Sequence, residues 1–381
     1  RDSLRNIVQD YTKRKSINFT NVRKVKKVGD KTKTKDRFYD LENFSLTYAY
    51  NETFNSDLNK EYNIDKNYRG IISYNFNSRP KAITPFKKTK IFKSKYLRLI
   101  KDFNFYLSPR SVSFNTDIYR NFNTTKIRNI SNPNMIIEPT FNKSFVWNRN
   151  FSIKYDLSRN LKIDFSSNNQ ASIDEPYGEI DTQEEKDIVF ENLLHFGRPV
   201  NYNHTISLNY NIPINKFPLT DWITVNTRYS ANYNWDGAPL SLQTEDINLG
   251  NIIQNSSNKQ INGQLNFNTL YNKIPYLKKL NQQNRPQRNI RGIDRNSNVI
   301  QNDTSKRAFK IKDHLLRLIF SPKNLSVSYV RNQGTMLPGY LPEPSFLGMD
   351  YSIMKPGLGF VLGSQEDITP DYHDPKDNPW I

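Results

Sequence analysis

The chain predicts an all-β fold, an antiparallel meander of long strands with short helical elements in its loops. Three observations carry this. From Phe141 to Leu157 the odd positions Phe141, Phe145, Trp147, Phe151, Ile153, Tyr155 and Leu157 are apolar. Asn142, Ser144, Asn148, Asn150, Ser152, Lys154 and Asp156 fall between them. A strand turns successive side chains to opposite faces, so this is one apolar and one wet face. The run breaks at Ser158-Arg159-Asn160 and resumes at Leu161, Ile163 and Phe165, as a hairpin does. Finally, 23 Phe, 22 Tyr and 4 Trp give an aromatic share suited to strands and to membrane interfaces.

In order, a possible strand at 16–25 precedes a clear one at 40–53, where Phe44, Leu46, Tyr48 and Tyr50 alternate with small polar residues. A polar loop over 52–66 leads to 67–77, with Tyr68, Ile72, Tyr74 and Phe76 on one face. The basic stretch 79–107 holds Phe92, Tyr96, Leu99 and Ile100 at helical spacing, predicting a short amphipathic helix. The next strand begins at Val112. After the central hairpin comes an acidic loop in which Asp181 and Glu184 suggest a capping box, with Val189, Leu193 and Phe196 as the helix's apolar stripe. Strands follow at 202–212 and 223–235, then a polar loop of about twenty residues, then strands at 261–269 and 325–329. From Gly334 on the chain reads as Pro/Gly-rich loop.

That makes nine long strands besides the possible first one. Most match the ~9–11 residues of a tilted membrane-crossing strand. Mean hydropathy of −0.77 and the lack of any long apolar run exclude a helical membrane protein, but a barrel needs only alternate apolar residues. In a meander, the basic stretches and the two short turns (158–160 and 214–220) fall at one end, and the polar and acidic loops at the other. Outer-membrane barrels sort their loops this way, with short turns at the periplasm. An odd strand count argues for an arc of a larger barrel, since an open arc leaves unpaired edges in lipid.

The chain has no cysteine, excluding disulfides and thiol nucleophiles. The net charge of +18 points to polyanions, and docking to anionic headgroups or a periplasmic partner is favoured over nucleic acid because no compact basic module with interleaved aromatics is present. No nucleophile elbow, phosphate loop or paired-carboxylate arrangement is found, so no enzyme, catalytic residue, cofactor or metal is expected. His195, His204, His314 and His373 lack ligand spacing. His204 is expected to face headgroups or a neighbouring side chain. Asp174, Glu175, Glu179, Asp181, Glu184 and Glu185 could supply oxygens to Ca²⁺, but a solvated loop is the preferred reading.

Eight stretches, in order, resemble the SprA/Sov family. They are SINFTNVRKV, YDLENFSLTYAYNETFN, NIDKNYRGIISYNFNSRPK, KSKYLRLIKDFNFYLSPRSVSFNTDIYRNFN, FGRPVNYNHT, NSSNKQINGQLNF, LYNKIPYLKK and GYLPEPSFLG. The resemblance weakens in 284–312 and after about Gln365. The family comprises the giant outer-membrane translocons of the type 9 secretion system of Bacteroidota, several times longer than this chain. The chain starts at Arg1 without initiator Met or signal peptide and so reads as a piece of something longer or as a mature chain; the greater length of the family implies an internal segment. The resemblance implies an arc of a very large transmembrane barrel in the cell outer membrane that passes folded cargo from periplasm to cell surface. It implies as partners a PorV-type barrel, a periplasmic plug protein, cargo with type 9 sorting domains and outer-membrane lipids. The alternatives are a TonB-dependent or porin-type solute uptake barrel and a soluble β-rich adhesin.

On this reading residues 1–381 are one barrel segment. Residues 1–40, 78–110 and 272–322 are basic periplasmic-side insertions, and 174–200 and 334–381 are extracellular-side loops. Tyr48, Tyr50, Tyr74, Trp147, Tyr233 and Trp235 are expected as interface aromatics. Arg149 breaks the apolar face and is expected to reach lipid-headgroup phosphates. Ser152, Lys154, Asp156, Lys162, Asp164 and Ser166 are expected to line the lumen.

Overall fold

A computed structural model describes residues 9–25, 37–89, 94–132, 135–240, 249–282 and 318–368. Ten strands form a single antiparallel sheet in sequence order. They are β1 (Tyr11–Val22), β2 (Phe44–Ser56), β3 (Lys60–Asn77), β4 (Ser111–Ile127), β5 (Thr140–Asp156), β6 (Leu161–Ser172), β7 (Arg198–Ile212), β8 (Ile223–Asp236), β9 (Asn251–Asn266) and β10 (Asn324–Tyr340). The helices are α1 (Arg98–Lys101), α2 (Gln183–Leu194), α3 (Phe267–Tyr271), α4 (Pro275–Gln282) and α5 (Leu358–Val361), all outside the sheet. Each strand pairs with its chain neighbours, and β1 and β10 are not paired with each other. The sheet is therefore open, with two edges.

Register keeps one apolar face continuous. Tyr50 lies opposite Tyr68, Ile118 opposite Trp147, Ile153 opposite Phe165, and Phe165 opposite Ile206. Because side chains alternate with period two, a one-residue slip anywhere would turn this face over, so the pattern specifies the pairing. The other face carries Ser, Thr and Asn in nearly every row.

Several sequence expectations are corrected. Among the described residues there are ten strands, not nine: Tyr11–Val22 pairs with β2 from Tyr11 opposite Ser56 to Val22 opposite Leu46. That count is even, so the odd-number argument loses its basis. The loop expected over 52–66 is strand on both sides of a three-residue turn at 57–59, where the backbone N–H groups of Lys60 and Asn59 bond Asp57 Oδ1 at 2.8 Å. Those bonds hold the Asp57 carboxyl below its usual range. A short turn thus occurs at the acidic end too. Strand β9 begins at Asn251 rather than Ile261, and it yields to helix α3 at Phe267. Strand β10 continues through Gly334 and Pro338 to Tyr340. A proline is tolerated there because β10 is an edge strand, and the register shifts between Pro338 and Tyr340. The amphipathic helix shrinks to a 3₁₀ turn, Lys95–Leu97, and α1; Phe92 lies outside the described residues.

The one hydrophobic core among the described residues lies on the apolar face of β7–β10. Residues 341–368 fold back over it. Tyr202, Tyr233, Trp235, Ile253 and Tyr340 from the strands bury Met349, Phe360 and Val361 from this cap.

Candidate functional site: a two-faced wall with a covered corner

The six residues expected to line a lumen share the polar face and meet in register. Ser152 lies opposite Ser166, Lys154 opposite Asp164, and Asp156 opposite Lys162. Ser152 also shares a 2.7 Å hydrogen bond with Ser113. Similar bonds run across the face. Asn121 donates to Asp65 at 2.7 Å and Asn67 at 2.8 Å, and Ser73 donates to Asn115 at 2.7 Å. Thr205 donates to Asn232 at 2.7 Å, and Ser328 to Asn262 at 2.8 Å. Charges there tend to be matched, as in Arg69–Asp117 at 2.7 Å. Donors and acceptors are satisfied sideways by short neutral side chains, which leaves a hydrophilic surface with little unpaired charge.

The apolar face is bounded toward the acidic end by a row of charges. Lys15 pairs with Glu52 at 2.7 Å. Lys66 stands opposite Glu52, Phe122 opposite Lys66, and Lys143 opposite Phe122. Lys66, Lys143 and Arg120 all lie over the Phe122 ring, 5.3–5.9 Å from its centre. Arg120 is paired with Glu175 at 2.6 Å.

The proposed interface aromatics divide. Tyr48 is 42% exposed on the bare part of the apolar face. Tyr50 packs on Tyr68 with ring centres 4.9 Å apart, and its hydroxyl donates to Glu52. Tyr74 packs on Phe44 at 4.9 Å and donates to the Phe38 carbonyl. Trp147 donates to Thr116 Oγ1 at 2.6 Å and packs on Phe196. Tyr233 and Trp235 are corrected: each is 1% exposed beneath the cap, so neither is an outward-facing girdle residue. Their polar atoms are turned to this internal task, Tyr233 Oη donating to Gly348 O and Trp235 Nε1 to Pro342 O, both at 3.0 Å.

Of the two expectations for His204, headgroups or a neighbour, the structure shows the neighbour: its Nε2 meets the Val361 carbonyl at 2.8 Å in a buried site, and its ring packs on Tyr233. Asn255 donates to Phe360 O at 2.9 Å and Ser364 O at 2.7 Å, while Gln365 donates back to Asn255 Oδ1 at 2.9 Å. The cap's backbone is thus read by strand side chains. Sequence reasoning missed this cluster because β9's start looked like loop. A usable signal existed: His204, Asn255 and Ser257 are polar residues on the apolar register. Such residues require a cover that bonds them.

Arg149 is half-buried on the apolar face. Its guanidinium lies over Trp147 at 5.2 Å and Phe196 at 5.4 Å. Its Nη2 donates to Asn169 Oδ1 at 3.1 Å and Phe196 O at 3.4 Å, while Nε has no partner.

Two carboxylates of the acidic loop pair with arginines of the strands. Glu175 pairs with Arg120, and Asp174 pairs with Arg198 at 2.9 Å. Helix α2 is capped by Thr182 and Glu185, one residue later than the sequence suggested. Glu185 N donates to Thr182 Oγ1 at 3.3 Å, and Thr182 N donates to Glu185 Oε2 at 3.0 Å. The Thr182 N–H bond holds the Glu185 carboxyl below its usual range. His195 Nδ1 meets Glu191 O at 2.9 Å. His314 and His373 lie outside the described residues. Comparison with protein-family models and with curated proteins returns no match.

Proposed function

We propose that the chain is a stretch of wall from a very large outer-membrane barrel, the protein-conducting channel of a type 9 secretion system. The observation that carries this is the two-faced open sheet. One face is apolar and largely bare, the other is neutral, polar and internally hydrogen-bonded, and both edges await further strands. Bare edges in lipid are not stable, so neighbouring strands of a longer chain complete the wall.

The dimensions fit. Eight residues separate Phe44 from the charge row at Glu52, about 26 Å along a strand. A strand tilt of about 40° brings that to about 20 Å, close to the apolar band of roughly 25 Å on outer-membrane barrels. The basic stretches lie at the periplasmic end: ten Lys/Arg against one Asp in 78–110. Residues 173–197, with eight carboxylates against one Lys, lie at the outer end. A polar face of Asn, Ser and Thr suits passage of folded protein, because it offers neither apolar patches nor uncompensated charge to a passing surface. In this reading the barrel docks a PorV-type barrel and a periplasmic plug, and cargo with type 9 sorting domains traverses the lumen.

The absence of cysteine from these residues makes labelling a direct test. Cysteines placed at Ser152, Asp164 or Ser166 of the full-length protein in outer membranes are expected to react with a hydrophilic maleimide. They are also expected to react with a 5 kDa polyethylene-glycol maleimide, whereas Leu46 and Ile72 positions stay protected. Reaction with the small reagent alone would support a porin-type lumen. Equal labelling of both faces would overturn the membrane wall.

A further inference from the structure

At the basic end of the sheet, the described residues of 78–110 form a plate fixed to the strands. Ile83 N donates to Phe105 O at 2.8 Å, and Phe105 N to Ile83 O at 3.1 Å. The return arm crosses the β5–β6 turn. Tyr106 N donates to Leu157 O at 3.2 Å, Arg159 N to Asn104 Oδ1 at 2.8 Å, and Tyr155 Oη to Tyr106 O at 2.8 Å. Tyr155 belongs to the apolar face, since it follows Phe151 and Ile153 at period two. The plate is thus tied to the end of that face. Twelve residues separate Tyr155 from Lys143 in the charge row, about 40 Å along a strand and about 30 Å at a tilt of about 40°. A hydrocarbon core is about 30 Å thick, so the plate begins where that core ends.

The surface of the plate mixes two kinds of side chain. Tyr96, Phe103 and Leu107 are 63%, 52% and 73% exposed. Lys81, Lys87, Lys88 and Lys95 are exposed too, and none has an ion pair among the described residues. The single acid of 78–110, Asp102, already faces Arg98 at 3.6 Å and Lys216 at 3.3 Å. Lysines among exposed apolar side chains suit a headgroup layer, where rings and stems enter the acyl boundary and ammonium groups stay with phosphate.

Resting on the membrane-wall reading, we propose that this plate docks on the anionic phospholipid headgroups of the periplasmic leaflet. A soluble periplasmic protein would answer the charge. It would not account for exposed apolar side chains at the level where the wall's apolar face ends. The outer end has the opposite chemistry, with eight carboxylates against one Lys in 173–197, which an anionic surface repels.

The test uses the full-length protein in nanodiscs, with Leu107→Cys carrying a polarity-sensitive fluorophore and acrylamide as a neutral aqueous quencher. Tyr96→Cys supplies a second probe away from the Tyr106 anchor. Discs of phosphatidylcholine alone are compared with discs of equal parts phosphatidylcholine and phosphatidylglycerol. Both probes are expected to be blue-shifted and shielded in the anionic discs, and high salt should weaken the shielding. Lys88→Gln and Lys95→Gln should each lower the ratio of shielded to quenched probe about fivefold in those discs. Phe103→Ser should lower it in both kinds of disc. Equal quenching in the two discs, or shielding that survives loss of all four lysines, overturns the headgroup surface. Equal quenching that a periplasmic extract relieves also overturns it and assigns the plate to a protein. The labelling pattern at Leu46 and Ser152 decides the membrane wall separately: if it holds while both probes stay quenched, only the headgroup surface falls.

Discussion

The apolar face is treated differently at its two edges. Over β1–β4 it is bare: Phe19 is 59% exposed, Leu46 50% and Ile72 48%. Over the acidic-end part of β7–β10 it is covered, and Ile253, Trp235 and Tyr233 are at or below 1%, whereas Ile261 and Tyr329 farther along are 45% and 55% exposed. The same strand pattern thus serves two ends. Where the row is apolar, none of the described residues outside the sheet covers it, and on the proposed reading hydrocarbon does. Where the row contains His204 and Asn255, the chain supplies its own cover. Two buried polar side chains in a lipid-facing wall would each cost about 1–3 kcal/mol unbonded. The cap's carbonyls bond the Asn255 amide and one of the two ring nitrogens of His204, which removes much of that cost.

The largest difference between the two regions should appear on truncating aromatics. Trp235→Ala is expected to destabilise the covered corner by about 3–5 kcal/mol, since it empties a packed site and removes the 3.0 Å donor to the Pro342 carbonyl. Tyr48→Ala, on the bare face, should change stability by no more than about 0.5 kcal/mol. Thermal unfolding of the two variants in the same detergent compares them, and equal losses would erase the distinction.

Next come the glycines through which the cap approaches the sheet. Gly348 has φ +73°, and a Cβ there would lie 2.5 Å from Tyr233 Cε1 and 2.6 Å from Tyr202 Cε1. Gly363 has φ +87°, with Ala231 Cβ at 2.8 Å. Gly348→Ala should cost about 1–3 kcal/mol and open residues 341–368 to protease while leaving the bare edge unchanged.

Asn255→Ala is a smaller lesion of the same corner. It removes the donor from Phe360 O and Ser364 O and should cost about 1–3 kcal/mol, with faster amide exchange in α5 as its signature. A variant with unaltered exchange would show that the cap is held by packing alone.

The smallest expected effect lies outside both regions, at the start of α2. The Glu185 carboxyl is held below its ordinary range in the folded chain, so its contribution is present above the unfolded pKa. It is lost as pH falls through the folded pKa. Amide exchange in the first turn of α2 should rise on acidification through that window, and Glu185→Gln should flatten the response. The Tyr233–Trp235 corner should not follow this change.

Much of the wall was legible in the residue order. Phe141–Phe165 announces its two faces and its turn, and the register pairs Lys154 with Asp164 and Asp156 with Lys162 as alternation requires. The misses have separate physical causes. Strand β9's opening, NIIQNSSNKQ, has too few apolar residues to look like a strand. It is one because Ile253, Asn255 and Ser257 are covered by a segment about a hundred residues later. Strand β10 continues through Pro338 because it is an edge. Thr182 rather than Asp181 caps α2 because the side-chain oxygen and the Glu185 amide meet only in that geometry. Tyr233 and Trp235 carry the same chemistry whether they face headgroups or a packed cap.

The sequence alone determined the period, and with it the all-β meander, the two-faced register and the separation of basic from acidic connections. Alternation and charge are local properties, readable within a strand or a loop. Only the tertiary structure decided which part of the apolar face is bare and which is covered, and where Arg149 finds its rings. Those outcomes depend on contacts between residues far apart in the chain, whose free energy no local pattern contains.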